Sequence, residues 1–224
     1  MQQKNCIRES KISIITGLKG QGKTVLAKTL MLNYDMPIII IDRQMQFDKG
    51  AKFYHTDDLW NEVVKNEDEF FNTKPVFILQ TDEEDEEELF TAIYSDLQNP
   101  RRRSPRPLLL VLDEVDDYFK NNQPSYMEKI VKFSRNRSIN IIATLKRPQG
   151  IHKILETQTD ETFYFRSSNN LDVDKCKKTY GDEISEKLNT LGRLQFLRVQ
   201  NRAGADGNYV YSIEQIPERI FEVI

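Results

Sequence analysis

An apolar run, Ile12 to Thr16, passes directly into Gly17-Leu18-Lys19-Gly20-Gln21-Gly22-Lys23-Thr24, and a helix-forming stretch follows from Val25. This G-x-x-x-x-G-K-[ST] segment limits the fold more than any other feature, because it works only between a strand and a helix. Its glycines let the backbone turn N–H groups inward, and the helix behind presents its positive end. Such a cradle holds phosphate. In this geometry Gly17, Leu18, Lys19, Gly20, Gln21, Gly22, Lys23, Thr24 and Val25 line a nucleotide. Lys23 reaches the β and γ phosphates, and the Thr24 hydroxyl is a magnesium ligand.

The rest of the chain repeats the same rhythm. Pro37 to Asp42, Pro75 to Thr81, Leu108 to Asp113, Ile139 to Thr144 and Thr162 to Arg166 are short β-branched or leucine-rich runs separated by helical stretches. They are apolar at nearly every position, as strands covered by helices on both faces must be. The expected fold is α/β: a P-loop domain with a mostly parallel sheet flanked by helices, one domain over residues 1–224. Arg193 to Gln200 and Asn208 to Ile213, around a Gly204 to Gly207 turn, predict a C-terminal β-hairpin.

In LLLVLDEVDD, Leu108 to Asp117, a buried strand ends abruptly in carboxylates. Strand ends face the ligand in open α/β sheets. Asp113 is therefore the second expected magnesium ligand. Glu114 is the expected catalytic base that orients and deprotonates the attacking water. Asp116 and Asp117 read as a solvated helix start.

Charge excludes some partners and leaves others open. With 32 basic and 35 acidic residues the net charge is -3, so any nucleic-acid footprint must be local. Cys6 and Cys176 have no paired spacing, which points to neither a disulfide framework nor a zinc site. No apolar run reaches membrane-spanning length and the first residues are polar, so a soluble, cytoplasmic protein is expected. The acidic run Asp82 to Glu88 is expected to stay solvated in the first turn of a helix opened by a Thr81–Glu84 capping box. RRRSPRP, Arg101 to Pro107, is expected to form an exposed loop.

Downstream, an arginine-bearing helix end, Arg135 and Arg137, leads into the strand Ile139 to Thr144 and then Arg147-Pro148. This order, with the aspartate Asp42 closing the second strand, resembles the FtsK-HerA superfamily of ring-forming DNA motors over Ile12 to about Val199. Its viral genome-packaging ATPases are the most similar members. The resemblance implies ATP and Mg2+ as cofactors. It also implies a homo-oligomeric ring acting on double-stranded DNA without sequence preference, and capsid vertex proteins as partners in the host cytoplasm. One of Arg135 and Arg137 would be donated across a subunit interface. The family's γ-phosphate-sensing glutamine is replaced by Thr144-Leu145-Lys146, with Thr144 as the polar substitute. Lys146, Arg147 and Arg101 to Arg103 are candidate DNA contacts. Plasmid-transfer or filamentous-phage-assembly ATPases, a small-molecule kinase and a nucleotide-gated interaction module are the alternatives.

Overall fold

The computed structural model describes residues 10–81, 86–101, 104–119, 125–203 and 208–216. In chain order the strands are β1 (Ile12–Thr16), β2 (Ile38–Ile41), β3 (Ala51–Phe53), β4 (Val76–Leu79), β5 (Leu108–Leu112), β6 (Ile139–Leu145), β7 (Glu161–Phe165), β8 (Gln195–Ala203) and β9 (Tyr209–Gln215). The helices are α1 (Lys23–Met31), α2 (Thr56–Lys65), α3 (Glu67–Thr73), α4 (Glu86–Ala92), α5 (Tyr126–Phe133), α6 (Lys153–Gln158), α7 (Asn170–Tyr180) and α8 (Asp182–Thr190). All the described strands join one sheet, ordered β3-β4-β2-β5-β6-β1-β7-β8-β9. β1 to β7 pair in parallel, and β8 and β9 close one edge antiparallel, as the hairpin reading predicted. The turn at Gly204 to Gly207 lies outside the described residues.

Alternation along the strands explains why the runs are apolar throughout. Ile39, Ile41, Leu108, Leu110, Leu112, Ile141 and Ala143 face one side, where they pack with α2, α4, α5 and α6. Ile38, Ile40, Leu109, Val111 and Ile142 face the other, against Leu26 and Ala27 of α1. Each central strand thus buries both faces, and these buried aliphatic side chains supply the main folding force at about 1.5–3 kcal/mol apiece. β3 escaped the sequence reading because Ala51-Lys52-Phe53 is a short, largely exposed edge strand with little apolar signal.

Two charged segments depart from the solvated reading. Glu86, in the first turn of α4, is buried and ion-paired with Arg43, whose Nη2 donates to Glu86 Oε2 at 2.8 Å. Burial is possible because the arginine fork supplies the hydrogen bonds that water would otherwise make. Asp82 to Asp85, and with them the Glu84 half of the capping box, lie outside the described residues. In the basic loop Arg101 and Ser104 are exposed, but Arg106 docks back on α3. Its guanidinium stacks 4.0 Å from the Phe71 ring, donates to Asp68 Oδ1 at 3.0 Å and donates to Glu67 O at 3.0 Å.

This docking separates two arginines that look alike in sequence. Arg106→Ala should lower stability by about 1 kcal/mol through the lost stacking and stem packing. Arg101→Ala should leave stability unchanged. The urea midpoints of the two variants measure the difference, with equal denaturant slopes expected.

Candidate functional site

Because β1, β5, β6, β2 and β7 are parallel, the chain leaves all five at the same edge, where Gly17, Asp113, Lys146, Asp42 and Arg166 begin the following segments. The loop from Gly17 to Gly22 crosses this edge and enters α1 at Lys23. Gly22 takes φ 104° and ψ 14°, a left-handed conformation that directs the chain straight into the helix. At Gly17 a Cβ would lie 2.7 Å from Phe165 Cβ and 2.6 Å from Gln21 Oε1, so only glycine fits. Gln21 braces the loop from inside: Leu18 N donates to its Oε1 at 2.8 Å and its Nε2 donates to Arg166 O at 2.6 Å. Lys23 is buried, and its ammonium donates to Leu18 O at 3.3 Å. Burial lowers its pKa, while the carboxylates of Glu114, Asp113 and Asp116 oppose that shift.

Asp42, which the sequence marks as closing the second strand, holds the next loop rather than a ligand. Its fully buried carboxylate accepts from Gln46 N at 2.9 Å, Phe47 N at 2.8 Å and Gln80 Nε2 at 3.1 Å. That loop presents Gln46 Oε1, to which the Thr24 hydroxyl donates at 2.6 Å. Gln46 carries no motif, and only the folded loop brings it to Thr24.

Asp113 is 1% exposed. Thr144, one strand over, donates its hydroxyl hydrogen to Asp113 Oδ1 at 2.7 Å and accepts from Glu114 N at 2.8 Å. Asp113 Oδ2 is buried and has no hydrogen-bond partner among the described residues. Burial pushes this carboxyl up to about 6, helped by the neighbouring charges of Asp42 and Glu114 and opposed by Thr144 and Lys23. A buried carboxylate oxygen with no donor is suited to a cation or to a water that a cation holds. The Thr24 hydroxyl has its hydrogen on Gln46, so what it can offer a ligand is lone pairs. These two oxygens fit magnesium, which takes few protein ligands and keeps water and substrate phosphate around it.

The Thr144 hydroxyl was expected to sense the γ phosphate. Its only hydrogen is spent on Asp113 and the residue is fully buried, so it has no donor for a phosphate oxygen. It positions both carboxylates instead. Glu114 adopts a left-handed conformation, φ 48° and ψ 50°, which turns the chain into a 3-10 turn, Val115–Asp117. Its Oε2 meets Lys146 Nζ at 3.2 Å. Lys146 Nζ also donates to Asp117 Oδ1 and Oδ2 at 2.8 and 2.6 Å, and Lys146 N donates to Asp116 Oδ2 at 3.3 Å. Asp116 and Asp117 are therefore tied to the end of β6 rather than left to solvent.

Arg135 and Arg137 precede β6 and so lie at the opposite edge of the sheet from this chain's own P-loop. They differ in commitment. α4 ends in a π turn, Ile93–Leu97, and Arg137 donates to the Tyr94 and Gln98 carbonyls at 2.6 and 2.8 Å while stacking 3.9 Å from the Tyr94 ring. That is a helix-end role. Arg135 is half exposed and donates to Asp160 Oδ1 at 2.8 Å. Of the candidate DNA contacts, Arg147 and Arg101 are both exposed but at opposite edges of the sheet, so they form no single patch. Arg102 and Arg103 lie outside the described residues.

Comparison with known proteins gives three findings. Residues 7–155 match the AAA domain family. No curated protein matches the chain in sequence. Among solved structures, the genome packaging NTPase B204 from Sulfolobus turreted icosahedral virus 2, in complex with ATP-gammaS, superposes with a TM-score of 0.70 at 20% identity, covering 93% of this chain and 98% of its own. VirB4 of Thermoanaerobacter pseudethanolicus gives 0.63 at 11% identity, covering 96% and 92%. The pCW3 conjugation coupling protein TcpA gives 0.58 at 14%, covering 96% and 65%. At these identities the likeness shows a common fold, the α/β P-loop fold expected from the sequence.

The position of Thr144 yields a test that separates its hydroxyl from its shape. Thr144→Val leaves Asp113 Oδ1 and Glu114 N buried without a partner, which should cost about 1–3 kcal/mol of stability. ATP turnover should also fall. Thr144→Ser keeps the hydroxyl and should retain most of both, measured by thermal unfolding and phosphate release.

Proposed function

The chain belongs to the AAA domain family of P-loop NTPases, and from that premise we propose that it hydrolyses ATP to drive double-stranded DNA through a ring of its own copies, as a genome-packaging motor. The observation that carries the hydrolysis is the placement of Glu114. It is turned out of the strand end beside Asp113, and of the surrounding carboxylates it acts most strongly on the Lys23 ammonium. A base there faces the phosphate end of a bound nucleotide.

The division of labour follows from the side chains. P-loop N–H groups and Lys23 bind the β and γ phosphates. Thr144 fixes Asp113, and Glu114 takes the proton of the water whose oxygen attacks the γ phosphorus as the bond to ADP breaks. Thr24 and Asp113 would hold magnesium, which when bound would neutralise charge on the phosphate oxygens. Arg135 is the better candidate for donation to a neighbouring subunit, since Arg137 is spent on two carbonyls. An arginine at the far edge of the sheet reaches a γ phosphate only in trans, where it would offset charge in the transition state.

The near end-to-end match with B204, a genome packaging NTPase, supports the packaging reading; on that reading the partners would be capsid vertex proteins and the place the host cytoplasm. The match to the pCW3 conjugation coupling protein TcpA favours a second reading, a plasmid-transfer ATPase with the same motor chemistry. No helix among the described residues is long and apolar enough to cross a membrane. DNA would be held through its phosphates without sequence preference, with Arg147 and Arg101 among the contacts. Imaging with a nonhydrolysable ATP analogue and duplex DNA tests the motor itself: a closed ring around DNA is expected.

Lys23→Ala should abolish nucleotide binding or turnover, because it removes the side-chain cation the loop sends to the phosphates. Glu114→Gln should bind a fluorescent ATP analogue about as well as the unaltered protein yet release no phosphate. Turnover in both variants would remove the site from consideration.

Assembly gives the other test. Arg135→Ala should be nearly inactive alone and should recover partial activity when mixed with Lys23→Ala, whose own site is dead but whose arginine is intact. Arg137→Ala should chiefly lose stability. Absence of recovery at every ratio, with co-assembly verified, would rule out donation in trans.

A further inference from the structure

The Thr24 hydroxyl has one hydrogen and two lone pairs, so it can be a metal ligand only while its hydrogen is held elsewhere. Asp113 has no oxygen to spare for that hydrogen. Its Oδ1 already accepts from Thr144, and Oδ2 is the oxygen left for a cation or its water. The acceptor is Gln46 Oε1, at 2.6 Å.

The segment after β2 is built in a way that fixes this contact. The Gln46 side chain is exposed, but its N–H donates to the fully buried Asp42 Oδ1 at 2.9 Å. The next N–H, of Phe47, donates to Oδ2 of the same carboxylate at 2.8 Å, and the Phe47 ring lies in the core on the α1 face of the sheet. From the end of β4, Gln80 Nε2 donates to Asp42 Oδ2 at 3.1 Å and to Phe47 O at 3.3 Å. Met45, immediately before Gln46, is held at φ 53°, a left-handed conformation that a residue with a Cβ disfavours. Its own side chain is 64% exposed, so packing of Met45 does not account for the strain, whereas the position of Gln46 does. One helical turn beyond Thr24, Lys28 Nζ donates to Asp48 Oδ1 at 3.2 Å. The segment thus docks on α1 at two points, and only the first touches a residue of the nucleotide site.

We propose that Gln46 is a positioning residue for the metal: by accepting the Thr24 hydrogen it keeps the Thr24 lone pairs available to the cation that accompanies ATP. This rests on the reading of Thr24 as a magnesium ligand. Gln46 acts through the oxygen of its amide and does not itself ligate the ion. A glutamate at this position offers the same acceptor, and a leucine of similar size offers none. Removing a group that holds a metal ligand from behind typically weakens metal binding about 10- to 100-fold.

The test is calorimetry of ATP-gammaS binding in magnesium and again in EDTA, the ratio of the two affinities measuring what the metal adds. Gln46→Leu should lower that ratio about tenfold with the affinity in EDTA unchanged, whereas Gln46→Glu should keep it. In a Thr24→Val background Gln46→Leu should lower it no further, because no hydroxyl is left to orient. Asp48→Ala, which removes the other docking contact, should leave the ratio unchanged. Thermal unfolding curves matching the unaltered protein establish that the variants are folded. The proposal fails if Gln46→Leu keeps the ratio, if Gln46→Glu loses it, or if the loss persists on top of Thr24→Val. It fails also if Asp48→Ala lowers the ratio as much, since docking of the segment rather than the acceptor oxygen would then be responsible. A ratio that survives Thr24→Val alone would instead overturn Thr24 as a metal ligand.

Discussion

The hydrogen bond from Thr144 to Asp113 joins the two halves of the site, and much of the local structure depends on it. It crosses from β6 to β5 inside the sheet, at 2.7 Å and with both residues buried. The same hydroxyl accepts from Glu114 N, so one oxygen orients the metal-facing carboxylate and the turn that carries the base. β6 sits between β1 and β5 in the sheet. Thr144 therefore stands on the strand that separates the one feeding the P-loop from the one ending in carboxylates, and its bond ties that strand to the second. A side chain without a hydroxyl there would leave two buried polar groups unsatisfied.

Burial around this bond creates the charge balance that phosphate chemistry requires. Asp113 is held in an apolar sheet with one oxygen unpaired, and Lys23 is buried beside it. Desolvation disfavours both charges, raising the carboxyl and lowering the ammonium, while their mutual attraction opposes it. Groups poised in this way gain from a divalent cation and a polyphosphate that satisfy each of them. Lys146 adds a third charge at the rim, already paired with Glu114 and Asp117. The site has carboxylates and ammonium groups arranged around a space, with the helix end of α1 opening onto it.

The arginines show how a residue of one type takes different roles in one fold. Arg43 is folded against buried Glu86, Arg106 against Phe71, and Arg137 over the carbonyls released by a π turn. Arg135, two residues before Arg137, keeps half its side chain in water. The planar fork makes each pairing geometrically specific, and which partner it finds depends on elements far away in sequence.

The sequence by itself determined the alternation of strands and helices, the parallel sheet, the closing hairpin and the residues of the phosphate loop and strand end. Each is a local matter of periodicity, glycine conformation and motif spacing. The six central runs are apolar on both faces, and Gly22 with Lys23 can be recognised without any knowledge of neighbours. Tertiary structure alone decided that Thr144 serves Asp113 rather than a phosphate, that Asp42 holds the loop carrying Gln46, that Glu86 is buried, and that Lys146 meets Glu114. Those pairs stand 31, 4, 43 and 32 positions apart. Even the short Asp42 link matters only because the loop folds back on Thr24. A hydrogen bond or ion pair depends on distance in space, and for these residues that distance is set by which strands lie side by side.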